Sequence, residues 1–261
     1  MAWTIGGVQL TSRFFLGTAG YPSPQVLQEA IAASGAQVVT VGLKRQLAAA
    51  GAPGAPGDFY RMVRETGAHL LPNTAGCRTA REAVTLARMA RELFGTHWIK
   101  LEVVGDEHTL QPDPFELLLA AGELARDGFE VFPYCTDDLV TCQRLLDAGC
   151  RILMPWGAPI GSGQGLVNPG ALRTLRARLP GVPLIVDAGI GSPRDAVQAM
   201  ELGFDAVLLN SAVAQAREPV TMARAFGLGI EAGRLAWEAG VMARQDMAVP
   251  TTPVTGRPFL L

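Results

Sequence analysis

Eight times along the chain a short apolar run is followed by a stretch with helical apolar spacing. The runs fall near residues 13–18, 37–43, 69–72, 98–104, 130–134, 150–154, 183–187 and 206–209. The intervening helices are expected at 24–34, 58–66, 79–94, 114–127, about 138–148, 169–177, 193–202 and 219–239. In the first of these, Val26, Leu27, Ala30 and Ile31 form one apolar stripe. Short strands rich in Val, Ile and Leu are what a parallel sheet covered on both faces requires. Eight strand-then-helix units in 261 residues predict a closed (β/α)8 barrel, one domain over residues 1–261. An irregular tail is expected from about residue 249, and an Ala/Pro/Gly-rich loop over 48–57. A doubly wound open sheet is the alternative, but Gly17-Thr18-Ala19-Gly20 after the first strand lacks the G-x-G-x-x-G pattern.

Composition narrows the function. A net charge of -2 gives no electrostatic case for nucleic acid or an acidic membrane surface. No apolar run approaches the roughly 18 residues of a membrane-spanning helix, and no signal segment is legible, so a cytoplasmic location is expected. Cys77, Cys135, Cys142 and Cys150 form no C-x-x-C pair, and His69, His97 and His108 have no metal-ligand spacing. The cysteines read as buried free thiols, and the expectation is an enzyme without metal or organic cofactor.

The run from Trp98 to Val104 is the exception among the strands, because it carries Lys100 and Glu102 two residues apart. Alternation places these two on one face and Ile99, Leu101 and Val103 on the other. Lysine is scarce, since all basic residues except Lys44 and Lys100 are arginine. A desolvated lysine can lose its proton and attack a carbonyl, which arginine cannot. Burial lowers a lysine pKa and a nearby carboxylate raises it. Lys100 and Glu102 are therefore either a structural ion pair or a Schiff-base amine with its proton carrier.

The C-terminal ends of barrel strands carry the working loops, with phosphate commonly held after strands seven and eight. Gly189-Ile190-Gly191 follows the seventh strand and Asn210-Ser211 the eighth, while Gly157 to Gly165 after the sixth contains four glycines. Such turns expose backbone N–H groups and allow close approach of an anion. Asp187 ends the seventh strand and reads either as a loop hydrogen-bonding residue or as a second carboxylate. Asp137 and Asp138 read as helix caps, Cys135 as packing, and Arg45 as an anion contact or a solvated charge.

Five segments resemble the thiazole synthases of thiamine biosynthesis. They are Leu71-Pro72-Asn73-Thr74-Ala75-Gly76, Trp98-Ile99-Lys100-Leu101-Glu102-Val103, Ala158-Pro159-Ile160-Gly161-Ser162-Gly163, Val186-Asp187-Ala188-Gly189-Ile190-Gly191 and Ala199-Met200-Glu201-Leu202-Gly203. The likeness runs from about Phe15 to Gly240. It implies a barrel enzyme that joins 1-deoxy-D-xylulose 5-phosphate, dehydroglycine and sulfur from a thiocarboxylated carrier protein. By the same resemblance, Lys100 forms an imine with the sugar, Glu102 and Asp187 are the acid/base carboxylates, and the assembly is a homotetramer. Gly161, Ala188, Gly189, Asn210 and Ser211 are the implied sugar-phosphate contacts. Ser211 stands where threonine is usual, Trp156 where leucine is, Gly20 where lysine is common and Lys44 where arginine is. A class I aldolase would share the lysine and the phosphate pocket but would need no sulfur donor. A non-catalytic sugar-phosphate or carrier-binding barrel would have no use for the three ionisable residues.

Overall fold

The computed structural model describes residues 2–44 and 56–250. The expected loop over 48–57 and Arg45 lie mostly or wholly outside the described residues, as does the tail beyond 250. The chain opens on a hairpin, β1 (Trp3–Ile5) and β2 (Val8–Leu10), paired antiparallel. Eight parallel strands follow: β3 (Phe14–Gly17), β4 (Val38–Gly42), β5 (His69–Asn73), β6 (Trp98–Leu101), β7 (Glu130–Cys135), β8 (Met154–Pro155), β9 (Ile185–Asp187) and β10 (Ala206–Leu209). Their order is β8-β7-β6-β5-β4-β3-β10-β9. Parallel bridges Leu153–Leu184 and Trp156–Asp187 join the two ends of that order and close the barrel.

The helices are α1 (Pro24–Ser34), α2 (Pro56–Glu65), α3 (Ala80–Phe94), α4 (Pro114–Arg126), α5 (Leu139–Asp147), α6 (Pro169–Arg178), α7 (Pro193–Glu201), α8 (Ser211–Ala214) and α9 (Pro219–Ala239). Two starts show the physical cause. The Asp113 carboxylate accepts from the N–H groups of Phe115 and Glu116, and Asp138 accepts from Thr141 N–H at 2.7 Å. Asp138 is thus a cap, as its position suggested. Asp137 instead accepts from the Trp156 indole at 3.0 Å, tying the loop after β7 to the end of β8.

Strand alternation separates two cores. Phe14, Leu16, Val39, Ile99, Leu101, Val103, Val131, Val186 and Val207 face outward against the helices. Phe15, Val38, Leu71, Trp98, Phe132, Ile152, Met154, Ile185, Ala206 and Leu208 face inward and fill the lower barrel with Ile5 and Leu10 of the hairpin. The hairpin, which precedes the eight runs read from the sequence, therefore plugs this end of the barrel. Its turn is Gly6-Gly7, both at positive φ (52° and 78°), the geometry that favours glycine in a two-residue hairpin. A Cβ on Gly6 would lie 2.7 Å from the Trp98 indole nitrogen, which donates to Gly6 C=O.

Two of the differences from the expected strand bounds have a local cause. The sixth barrel strand lies at Met154–Pro155 rather than 150–154, because its pairing with β7 is confined to Tyr134–Met154 and Cys135–Pro155. β6 stops at Leu101 rather than reaching Val104, because a side chain replaces the ladder there. Thr74 Oγ1 donates to Glu102 C=O and accepts from Glu102 N–H, both at 2.8 Å.

Candidate active site

Lys100 and Glu102 do share the inward face, and closure of the barrel brings Asp187 to them. Lys100 Nζ lies 3.1 Å from Glu102 Oε1 and 2.7 Å from Asp187 Oδ2. All three residues are buried, at 5%, 5% and 2% exposure, so the charges are screened very little. The contact to Asp187 is a close charge contact without hydrogen-bond alignment, since Oδ2 accepts no hydrogen bond.

Burial is the largest influence on the Lys100 ammonium and pulls its pKa down. The charges of Asp187 and Glu102, both at contact distance, together outweigh burial and hold the nitrogen protonated above the ordinary lysine range. The contest left open by the sequence is thus decided by the two carboxylates. Asp187 is pushed up to about 6, by burial first and by Glu102, against the downward pull of Lys100. One ammonium faces two carboxyl groups, so the centre has a surplus acceptor for a proton. The reciprocal Thr74 bonds fix the Glu102 backbone just beyond the strand, which makes Thr74 a positioning residue that the sequence did not single out.

Above this centre opens a cavity of about 870 Å³. Lys100, Glu102, Asp187, Gly161, Ala188, Gly189, Asn210 and Ser211 all line it. The loops that carry them interlock closely. A Cβ on Gly189 would sit 2.3 Å from Ala158 N, and one on Gly191 would sit 2.3 Å from Gly163 O. Ala188 adopts φ 69°, a left-handed conformation that costs a non-glycine residue about 1–2 kcal/mol. Asp195 braces the loop after β9: its Oδ2 accepts from Gly191 N–H, Ser192 N–H and Ser192 Oγ. Asp195 was also missed from sequence, though Ser192-Pro193-Arg194-Asp195 has the spacing of a capping box.

Asn210 and Ser211 sit where the short helix α8 begins, beside the glycine loops. Such extra helices after the last barrel strands are a common phosphate seat. Asn210 Nδ2 donates to Ala19 C=O at 2.8 Å, which joins the first and last loops, and its buried Oδ1 has no partner. A Cβ on Gly161 would lie 3.8 Å from Ser211 Oγ, so these two positions are neighbours across the cavity. Lys44 lines the rim and donates to Gly76 C=O at 2.7 Å. Trp156 and Gly20 are not among the described lining residues.

The cysteines play no part in this centre. All four are free and buried, and Cys135 and Cys142 meet at 3.8 Å in the outer core. Among the described residues no helix is long and apolar enough to cross a membrane.

The family model described as thiazole biosynthesis protein ThiG matches residues 4–253. The chain belongs to this family of enzymes. A thiazole synthase of Coxiella burnetii (strain RSA 331 / Henzerling II) is 59% identical over 259 residues, covering 99% of this chain and 98% of that protein. A thiazole synthase of Bradyrhizobium sp. (strain ORS 278) is 61% identical over 251 residues, covering 96% and 95%. Among solved structures, the Amycolatopsis orientalis BexX/CysO complex superposes with a TM-score of 0.83 at 32% identity, covering 94% of this chain and 98% of that one. Orotidine 5'-monophosphate decarboxylase from Sulfolobus solfataricus, at 13% identity and a TM-score of 0.57, shares the fold alone.

Proposed function

We propose that this thiazole-synthase family member builds the thiazole phosphate of thiamine from 1-deoxy-D-xylulose 5-phosphate, dehydroglycine and sulfur from a thiocarboxylated carrier protein. The observation that carries the reading is Lys100 Nζ, 2.7 and 3.1 Å from two buried carboxylates, at the base of a cavity rimmed by glycine loops.

Lys100 at rest is protonated, so attack requires one proton to leave the nitrogen. Asp187, raised toward neutrality and in contact with that nitrogen, is the acceptor. The amine adds to the sugar ketone, and water leaves to give an iminium at the same point between the carboxylates. The iminium acidifies the neighbouring carbon, and Glu102 or Asp187 takes its proton. Return of a proton elsewhere moves the carbonyl along the chain. Sulfur then enters, dehydroglycine condenses, and loss of water closes the ring. Gly161, Ala188, Gly189, Asn210 and Ser211 hold the sugar phosphate through N–H groups and side-chain donors, keeping its ketone over Lys100. A relative solved as a two-protein complex supports a protein partner. A homotetramer in the cytoplasm remains our expectation for the assembly.

Reconstitution tests this reading. The protein, the sugar phosphate, dehydroglycine and a thiocarboxylated carrier should yield thiazole phosphate, with none formed when the carrier lacks its thiocarboxylate. Carbon–carbon cleavage of the sugar in the absence of carrier would instead identify an aldolase.

A further inference from the structure

Tyr134 lies on β7, between β6, which carries Lys100 and leads into Glu102, and the β8–β9 pair with Asp187. It follows Phe132 on the inward face and is buried at 1% exposure. Its ring centroid is 5.7 Å from Lys100 Nζ, within cation–π range. Its hydroxyl is buried and makes no hydrogen bond within the protein. Burying a hydroxyl without a partner is unfavourable, and phenylalanine, used two residues earlier, would pack the same space without that cost.

The chemistry of Lys100 supplies a use for the hydroxyl, on the reading that it forms an imine. An ammonium has three N–H donors and contacts both carboxylates. When it condenses with a ketone, two of those hydrogens leave with the ketone oxygen as water. The iminium nitrogen keeps the positive charge and a single N–H. Two carboxylates that shared an ammonium now share one N–H, and one of them is left without a donor to face. Asp187 is the more deeply buried of the two, and its Oδ2 has no hydrogen-bond partner.

We propose that Tyr134 is a positioning residue for this centre: its ring supports the cationic nitrogen through the imine stage, and its hydroxyl donates to Asp187 once Lys100 is bound to substrate. Burial first, and then the charges of Asp187 and Glu102, hold the phenol protonated, so it remains a donor at any working pH. The charged and titratable groups around it are Lys100 from β6, Glu102 just beyond β6, Asp187 from β9 and Cys135 of its own strand. β8 presents Met154.

The test compares Tyr134→Phe, which keeps the ring, with Tyr134→Leu, which removes it. In Tyr134→Phe, kcat should fall roughly tenfold, the loss of one hydrogen bond to a charged group, with KM for the sugar phosphate held within about twofold. The acidic limb of its kcat profile should move to higher pH, because Asp187 loses a donor that favours its carboxylate form. Tyr134→Leu should in addition trap less borohydride-reduced adduct at Lys100. A Tyr134→Phe profile that overlays the wild type with unchanged kcat overturns the proposal, and so does a lowered melting temperature as the only effect. Borohydride labelling of wild-type Lys100 separates this from the reading beneath it. Label with an unshifted Tyr134→Phe profile removes only the role of Tyr134, whereas absence of label removes both.

Discussion

The two ends of the barrel interior are made by the same strands and obey opposite rules. At the lower end, Phe15, Leu71, Trp98, Phe132 and Ile185 pack with the hairpin residues Ile5 and Leu10 into an apolar core. Two residues further along several of those strands, the inward side chains become Lys100, Tyr134 and Asp187, with Glu102 just beyond. The lower end is held by burial of apolar surface. The upper end places a net negative, buried ionic cluster beneath glycine loops, which stabilises little and is costly to disturb. The fold is secured at one end so that the other can hold charges poised for reaction.

That contrast is open to direct attack, and the largest effect should come from Lys100→Met. It should abolish turnover and leave two buried carboxylates without their cation, destabilising the fold by about 3–5 kcal/mol at neutral pH. Denaturant titrations should show the loss shrinking in acid, as the abandoned carboxylates take up protons. At the opposite end, Leu10→Ala in the hairpin should cost about 2–5 kcal/mol of stability through the cavity it leaves. Unlike Lys100→Met, the protein that remains folded should keep its kcat. Equal kinetic damage from both variants would erase the distinction between the ends.

How much of this division was legible in the sequence depends on the length of the signal. The barrel was readable because eight apolar runs alternate with helical spacing. The common face of Lys100 and Glu102 was readable because strand alternation is strict. The three-residue strands of the hairpin were too short to register, although Gly6-Gly7 between Trp3-Thr4-Ile5 and Val8-Gln9-Leu10 is a two-residue hairpin signal. Helix α8, four residues long, was missed for the same reason. The meeting of Asp187 with Lys100 was invisible to spacing, because it exists only when β8 and β9 pair and close the barrel. Thr74 and Tyr134 act through partners that lie far away in sequence, and no local pattern marks them, whereas Asp195 stands at capping-box spacing from Ser192.

Smaller effects sharpen the description of the upper end. Gly189→Ala places a Cβ 2.3 Å from Ala158 N at φ 77°, and should cost about 1–3 kcal/mol. Its KM for the sugar phosphate should rise more than its kcat falls, because the change lies in the loop rather than at Lys100. The pH dependence carries a paired sign. Asp187 binds its proton more tightly folded than unfolded, so turnover should fall as pH drops through about 6. The same group should add stability as pH falls from about 6 toward the unfolded value of 3.8. Asp187→Asn should remove that stability gain from the melting profile. The smallest effect belongs to the rim, where Arg78 and Glu107 pair at 2.7 Å with both side chains more than half exposed. Glu107→Gln should change stability by less than about 1 kcal/mol.

The most direct measurement is borohydride reduction in the presence of 1-deoxy-D-xylulose 5-phosphate, followed by peptide mass mapping. The chain contains only two lysines, Lys44 and Lys100, so the site of any adduct is unambiguous. The account predicts one sugar-phosphate adduct, on Lys100. A label on Lys44, or no label under conditions that support turnover, would contradict it.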